Sequence, residues 1–137
     1  MPSSRSNLTT FKTYKLQGEW AELYFMTRSA EHGLMVSKPW GDSARYDFMV
    51  EHNGSIRRVQ VKSTSYKHAN SYKCQVHANG LRYLESETDF IAALVVPTDT
   101  WYIIPVSLAG LRTQIVLAPH SKHSKYEPYR EAWHLLL

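Results

Sequence analysis

The dipeptide Asn53-Gly54 stands between two alternating runs and is the strongest constraint on how this chain folds. Asn and Gly both tolerate positive φ, so the pair supplies the central residues of a type I′ turn, whose twist suits two antiparallel strands. Within residues 45–52, Tyr46, Phe48 and Val50 alternate with Asp47, Met49 and Glu51, and residues 56–64 alternate again. A β-hairpin with one apolar face is predicted. Over residues 15–32, Leu16, Trp20, Leu23, Thr27 and Ala30 recur at steps of four and three, the spacing of a helix with one core-facing stripe. Gly33 follows, at the place where a helix end commonly needs a left-handed residue.

Beyond the helix, Leu34-Met35-Val36 reads as a short strand stopped by Pro39 and the Gly41-Asp42-Ser43 cluster. Residues 66–71 read as a basic polar loop. Tyr72, Cys74 and Val76 alternate with Lys73, Gln75 and His77, which predicts another strand. Residues 90–96 are almost wholly apolar, as in a central strand buried on both faces. A further strand is expected over 101–106, with Pro105 near its end or on an edge because it lacks a ladder N–H. Residues 107–112 suit a helical turn or two, 120–125 a polar loop, and 129–136 a short terminal helix. Residues 1–12 read as a flexible tail and 13–137 as a single domain. A helix leading into a mixed sheet with further strands and short helices is an α/β architecture.

A length of 137 residues supports one core, and 43% hydrophobic with 20% charged residues argues against bulk disorder. No apolar run approaches the roughly 18 residues of a membrane span, residues 1–10 lack the apolar stretch of a secretory signal, and the lone Cys74 can form no internal disulfide. A cytoplasmic protein with no membrane partner is expected. The net charge is +4, and Arg57, Arg58, Lys62, Lys67 and Lys73 crowd one stretch in which acidic residues are sparse. Such a surface attracts a polyanion such as DNA with salt-sensitive affinity.

The hairpin also carries the chemistry. Alternation sets Arg58, Gln60 and Lys62 on one face of its second strand and Val59 and Val61 on the other. Asp47 falls inside the first strand, where aspartate is disfavoured, and not in a turn, where it is routine. Across the turn a carboxylate, an amide oxygen and an ammonium can converge. Mg²⁺ takes oxygen ligands and keeps several waters, so one or two protein carboxylates suffice. An ammonium beside it can steady a nucleophile and a phosphate, while the ion polarises the phosphoryl oxygen. The helix is expected to add a third oxygen donor. Glu19 and Glu22 share one face offset from the core stripe, and either can face the site or remain a solvated glutamate.

In chain order, Gly18-Glu19-Trp20-Ala21-Glu22, Gly33, the run Lys38-Pro39-Trp40-Gly41-Asp42-Ser43-Ala44-Arg45-Tyr46-Asp47-Phe48, and Val59-Gln60-Val61-Lys62-Ser63-Thr64 resemble the PD-(D/E)XK nucleases. More narrowly they are similar to the branch containing group I intron-encoded homing endonucleases, whose third motif reads Gln-x-Lys. The similarity spans residues 16–106. It implies a restriction-endonuclease-like core, in which an N-terminal helix is followed by a central mixed β-sheet with flanking helices. It implies Mg²⁺-dependent cleavage of double-stranded DNA leaving a 5′ phosphate, with Mn²⁺ as a substitute ion. It also implies homodimers or higher homo-oligomers, because cutting both strands needs two active sites. By resemblance, Asp47, Gln60 and Glu22 bind metal and Lys62 is the catalytic lysine, with Glu22 matching the family spacing better than Glu19. Tyr46 replaces the family proline, and Gln60 stands where most members have Asp or Glu. A neutral amide supplies oxygen without charge. A catalytically silent DNA-binding module on the same fold is therefore one alternative, and a junction-resolving repair nuclease another.

Candidate DNA contacts are Arg58, Ser63 and Thr64 on the strand, and Lys67, His68 and Lys73 in the basic, aromatic segment 65–73. Ser63 and Thr64 either donate to a phosphate or simply finish the strand. His120-x-x-His123 lacks the further ligands of a tetrahedral zinc site, and Asp89 reads as a cap or salt-bridge partner. No Gly-x-Gly-x-x-Gly or Walker-type loop occurs, so no nucleotide cofactor is expected.

Overall fold

A computed structural model describes residues 11–109 and 111–137. Most of the expected flexible tail, residues 1–10, lies outside the described residues. Thr13 caps helix α1 (Tyr14–Glu31), its hydroxyl accepting the Leu16 N–H at 3.1 Å. Gly33 follows at φ 80°. Strands β1 (Met35–Ser37), β2 (Phe48–His52), β3 (Ser55–Thr64), β4 (Lys67–His68), β5 (Ser71–Gln75), β6 (His77–Ala78) and β7 (Leu81–Arg82) come next. Then come β8 (Phe90–Val95), β9 (Thr100–Pro105), the one-turn helix α2 (Val106–Ala109) and β10 (Gln114–Leu117).

The five-stranded main sheet has the order β1-β2-β3-β8-β9. Its hairpin turns as expected, with Asn53 and Gly54 at φ 50° and 81°, and pairs Phe48 with Val59 and Glu51 with Ile56. Strand β3 runs parallel to β8, and β9 runs antiparallel to β8, so the sheet is mixed. Residues 91–95 are wholly buried, which explains the unbroken apolar run, and Pro105 ends β9 at the sheet edge, where its missing N–H breaks no ladder. A mixed sheet behind an N-terminal helix is the restriction-endonuclease-like arrangement. One face of the sheet packs on α1. The other is covered by a smaller sheet, β10-β5-β4, through Tyr72, Cys74 and Ile115 against Ile91, Ala93 and Ile104.

Several expectations need correction. The buried stripe of α1 is Gln17, Ala21, Phe25 and Ser29, whereas Leu16 and Leu23 are 47% and 60% exposed. Small Ala21 and Ser29 let the helix approach the sheet, and the Phe25 ring fills the gap against Phe48 and Trp133. Segment 66–71 holds strand β4, which pairs with β5 around Ala69 at φ 54°. The terminal segment forms two separate 3₁₀ turns, Glu127–Tyr129 and Trp133–Leu136. Glu131, at φ 48°, interrupts them and spends its carboxylate on the Trp101 backbone N–H and the Trp133 indole, each at 2.8 Å.

Candidate active site

Asp47 lies one residue ahead of β2, not inside it as the alternation suggested. Its backbone N–H donates to the carbonyl of Val59, the partner of Phe48, at 2.9 Å, so Asp47 and Phe48 both oppose Val59 and the ladder ends there in a bulge. At Val61 the ladder to β2 has run out. The Asp47 carboxylate takes over, with Oδ2 accepting the Val61 N–H at 2.8 Å. The aspartate therefore completes a strand that would otherwise end with an unpaired buried donor. This accounts for a residue type that pairing alone disfavours.

The carboxyl is also electrostatically unsettled. Burial pushes its pKa up from 3.8 to about 6. The Val61 N–H opposes that rise, the Glu22 carboxylate adds to it, and Lys38 and Lys62 oppose it more weakly. The rise is thus chiefly desolvation, with one carboxylate and two lysines in electrostatic reach of the group. Glu22 itself is held by Lys38 at 3.2 Å. Glu19, the other candidate on the helix, is exposed, and it is Glu22 that acts on Asp47.

Gln60 and Lys62 share the face of β3 that looks toward the smaller sheet, beside Ile91 and Ala93 of β8. Lys62 is half-buried and guided on two sides. Its ammonium donates to the His77 carbonyl at 3.1 Å and lies 5.2 Å from the centroid of the Tyr83 ring. The same ring carries the Arg45 guanidinium at 4.8 Å. Arg45 in turn donates to the carbonyls of Leu81 and Arg82 and so ties the β6–β7 hairpin to the approach to Asp47. That hairpin turns on Asn79 and Gly80 at φ 52° and 77°.

Asp47 and Glu22 are carboxylates in electrostatic reach of one another, an oxygen pair that fits a hard divalent cation such as Mg²⁺ better than zinc. Positive charge between Asp47 and Glu22 would also relieve the repulsion that helps to raise the Asp47 pKa. Among the described residues no three His, Cys, Asp or Glu side chains converge as a metal cluster. The buried Cys74 thiol, pushed to about 12 chiefly by burial, is no nucleophile.

The expected DNA contacts separate. Arg58 is committed to the protein: its guanidinium and backbone N–H bind Asp89, and it also donates to the Ser86 and Glu85 carbonyls. Asp89 is its salt-bridge partner. Thr64 is buried and also used internally, donating to the Lys73 carbonyl and accepting the Tyr66 N–H. Lys67 and His68 are exposed on β4, while Ser63 and Lys73 line a cavity that begins at Lys62. Sequence reasoning missed Lys38, Tyr83 and Gln17. The polar residues at the true buried positions of α1 were the available signal for Gln17.

A model of the PD-(D/E)XK endonuclease family matches residues 12–136. Among solved structures, that of a bacterial homing endonuclease, I-Ssp6803I, superposes with a TM-score of 0.78 at 29% sequence identity, over 93% of this chain and 93% of that one. A comparison with curated proteins gave no match. With its motifs in order, its mixed sheet behind an N-terminal helix and its acidic centre at the hairpin, the chain belongs to the PD-(D/E)XK endonuclease family.

Proposed function

We propose that this nuclease is an Mg²⁺-dependent endodeoxyribonuclease acting on double-stranded DNA, and that it is homing-endonuclease-like. The observation that carries this is the half-buried Asp47 carboxyl, anchored on Val61 and in electrostatic reach of Glu22 and Lys62. The solved homing endonuclease structure supports the comparison at the level of the whole chain. Asp47, Glu22 and Gln60 would hold the ion, directly or through water, with Mn²⁺ able to replace Mg²⁺. When bound, the ion polarises the scissile phosphate and lowers the pKa of coordinated water.

The protein's own part is positioning. Asp47 is fixed by the Val61 N–H, so its free oxygen has a defined direction. Lys62 is steadied by the His77 carbonyl and the Tyr83 ring, and its ammonium offsets charge gathering on the phosphate. Cutting both strands calls for two such centres, so the working unit proposed is a homodimer or higher homo-oligomer.

The test is cleavage of supercoiled plasmid with Mg²⁺, Mn²⁺ or EDTA, beside a panel of branched DNA. Nicking and linearisation that need the divalent ion support the proposal. Metal-independent binding without cleavage of any substrate would replace it with a silent DNA-binding module. Cleavage confined to branched DNA would point to junction resolution.

A further inference from the structure

A cavity of about 650 Å³ opens beyond Lys62, between the first turn of α1 and the strands of the smaller sheet. Its wall carries two ammonium groups, Lys62 and Lys73, and several hydroxyl and amide side chains, but no carboxylate. Gln17 is a polar side chain only 8% exposed, on the buried stripe of a helix whose other positions pack a core. Its amide donates to the Ser63 hydroxyl at 3.2 Å and accepts from the Ser65 hydroxyl at 3.3 Å. One buried amide thus ties together two serines that follow the lysine of the candidate active site. The exposed Tyr66 ring flanks them at the cavity mouth.

We infer that this cavity seats a phosphodiester of the DNA strand next to the one cleaved, held by Lys73 and by the Ser63 hydroxyl, which accepts from the Gln17 amide and so keeps its own proton free to donate. The inference rests on the nuclease reading, since Lys62 is the point the two sites share. Two cations without a carboxylate select for an anion. Hydroxyls and amides are the neutral groups that commonly bind backbone phosphates, and such contacts fix the register of the duplex without reading bases. A phosphate held here would leave Lys62 free for its neighbour along the strand. Gln17 is then a positioning residue, not a catalytic one.

The test measures binding of a 30-base-pair duplex of arbitrary sequence, in EDTA, across a salt series. Cleavage is absent under these conditions, so a failure of the nuclease reading does not affect the result. Lys73→Gln is expected to weaken binding and to reduce the slope of log K against log salt by about one, the loss of one phosphate contact. Lys122→Gln, on the exposed 120–125 loop, should leave the slope unchanged. Gln17→Glu keeps the shape and the bond accepted from Ser65 and accepts from Ser63 once that hydroxyl turns round, which takes the Ser63 proton from the phosphate and adds a negative charge; it is expected to lower affinity at least tenfold at low salt with the melting temperature little changed. An unaltered slope and affinity in Lys73→Gln would overturn the inference, whether or not Gln17→Glu folds. So would a folded Gln17→Glu variant that binds as tightly as wild type.

Discussion

The carboxylate of Asp47 accepts the backbone N–H of Val61 at 2.8 Å, where β3 has outrun its partner strand. One side chain thereby finishes the sheet and presents an oxygen to the site. It does so at a cost, because burial and the Glu22 carboxylate disfavour its charge.

Asp47→Asn should separate the two roles. An amide oxygen can still cap Val61, so the fold survives, but the charge is gone and metal-dependent cleavage should fall by at least a thousandfold. The folded carboxyl titrates near 6 against 3.8 for the ordinary group, so between those values the folded state holds a proton the unfolded chain has lost. Wild-type stability without metal therefore falls as pH rises from about 4 to about 6 and stays lower above. The asparagine variant should lack this decline and be more stable at pH 8, by about 2 kcal/mol after discounting for a half-buried side chain. Urea denaturation at pH 4.5 and pH 8 reads the difference, and equal pH dependence in the two proteins would exclude it.

Metal binding should follow the same titration. Below about pH 6 a proton competes for Asp47, and Mg²⁺ affinity should weaken roughly tenfold per pH unit. Thermal shifts with and without Mg²⁺ measure this, with a large shift expected at pH 8 and little at pH 5.

Tyr83 is predicted to matter through its ring face. Tyr83→Phe keeps the face under Lys62 and Arg45 and should retain near-normal turnover, whereas Tyr83→Leu should lower kcat about tenfold with KM little changed. Steady-state kinetics on the folded fraction distinguish them. Equal loss in both variants would mean that the ring does not position Lys62.

Arg58→Ala should be a stability defect and not a binding defect. It removes the bridge to Asp89 and the bonds to the Ser86 and Glu85 carbonyls, a loss of about 2 kcal/mol. Denaturant midpoints should drop while DNA affinity of the folded protein holds within about twofold. A selective loss of affinity would return Arg58 to the DNA surface.

Local signals made much of this legible in the sequence. Asn53-Gly54 dictated its turn, and the alternation of Val59 and Val61 with Gln60 and Lys62 predicted the two faces of β3. The buried run of β8 was plain because a strand covered on both sides has no polar positions. Asn79-Gly80 offered the same turn signal at the second hairpin, but strands of two residues are too short to show alternation. The stripe of α1 was misplaced because large apolar residues outweighed Gln17, Ala21 and Ser29, and close packing on a sheet favours small ones. Arg58 looked like a surface cation because its partner, Asp89, is distant in sequence. The same non-locality hid Lys38 and Tyr83, whose contacts exist only once β3, the first helix and the second hairpin are assembled.

The central claim is that Lys62, beside Asp47 and Gln60, serves cleavage and not merely attachment. Its most direct test compares wild type with Lys62→Ala for plasmid nicking in Mg²⁺ and for duplex binding in EDTA. The account predicts nicking by wild type, its loss in the variant, and binding reduced no more than the removal of one phosphate contact allows. Nicking by Lys62→Ala at the wild-type rate would contradict it.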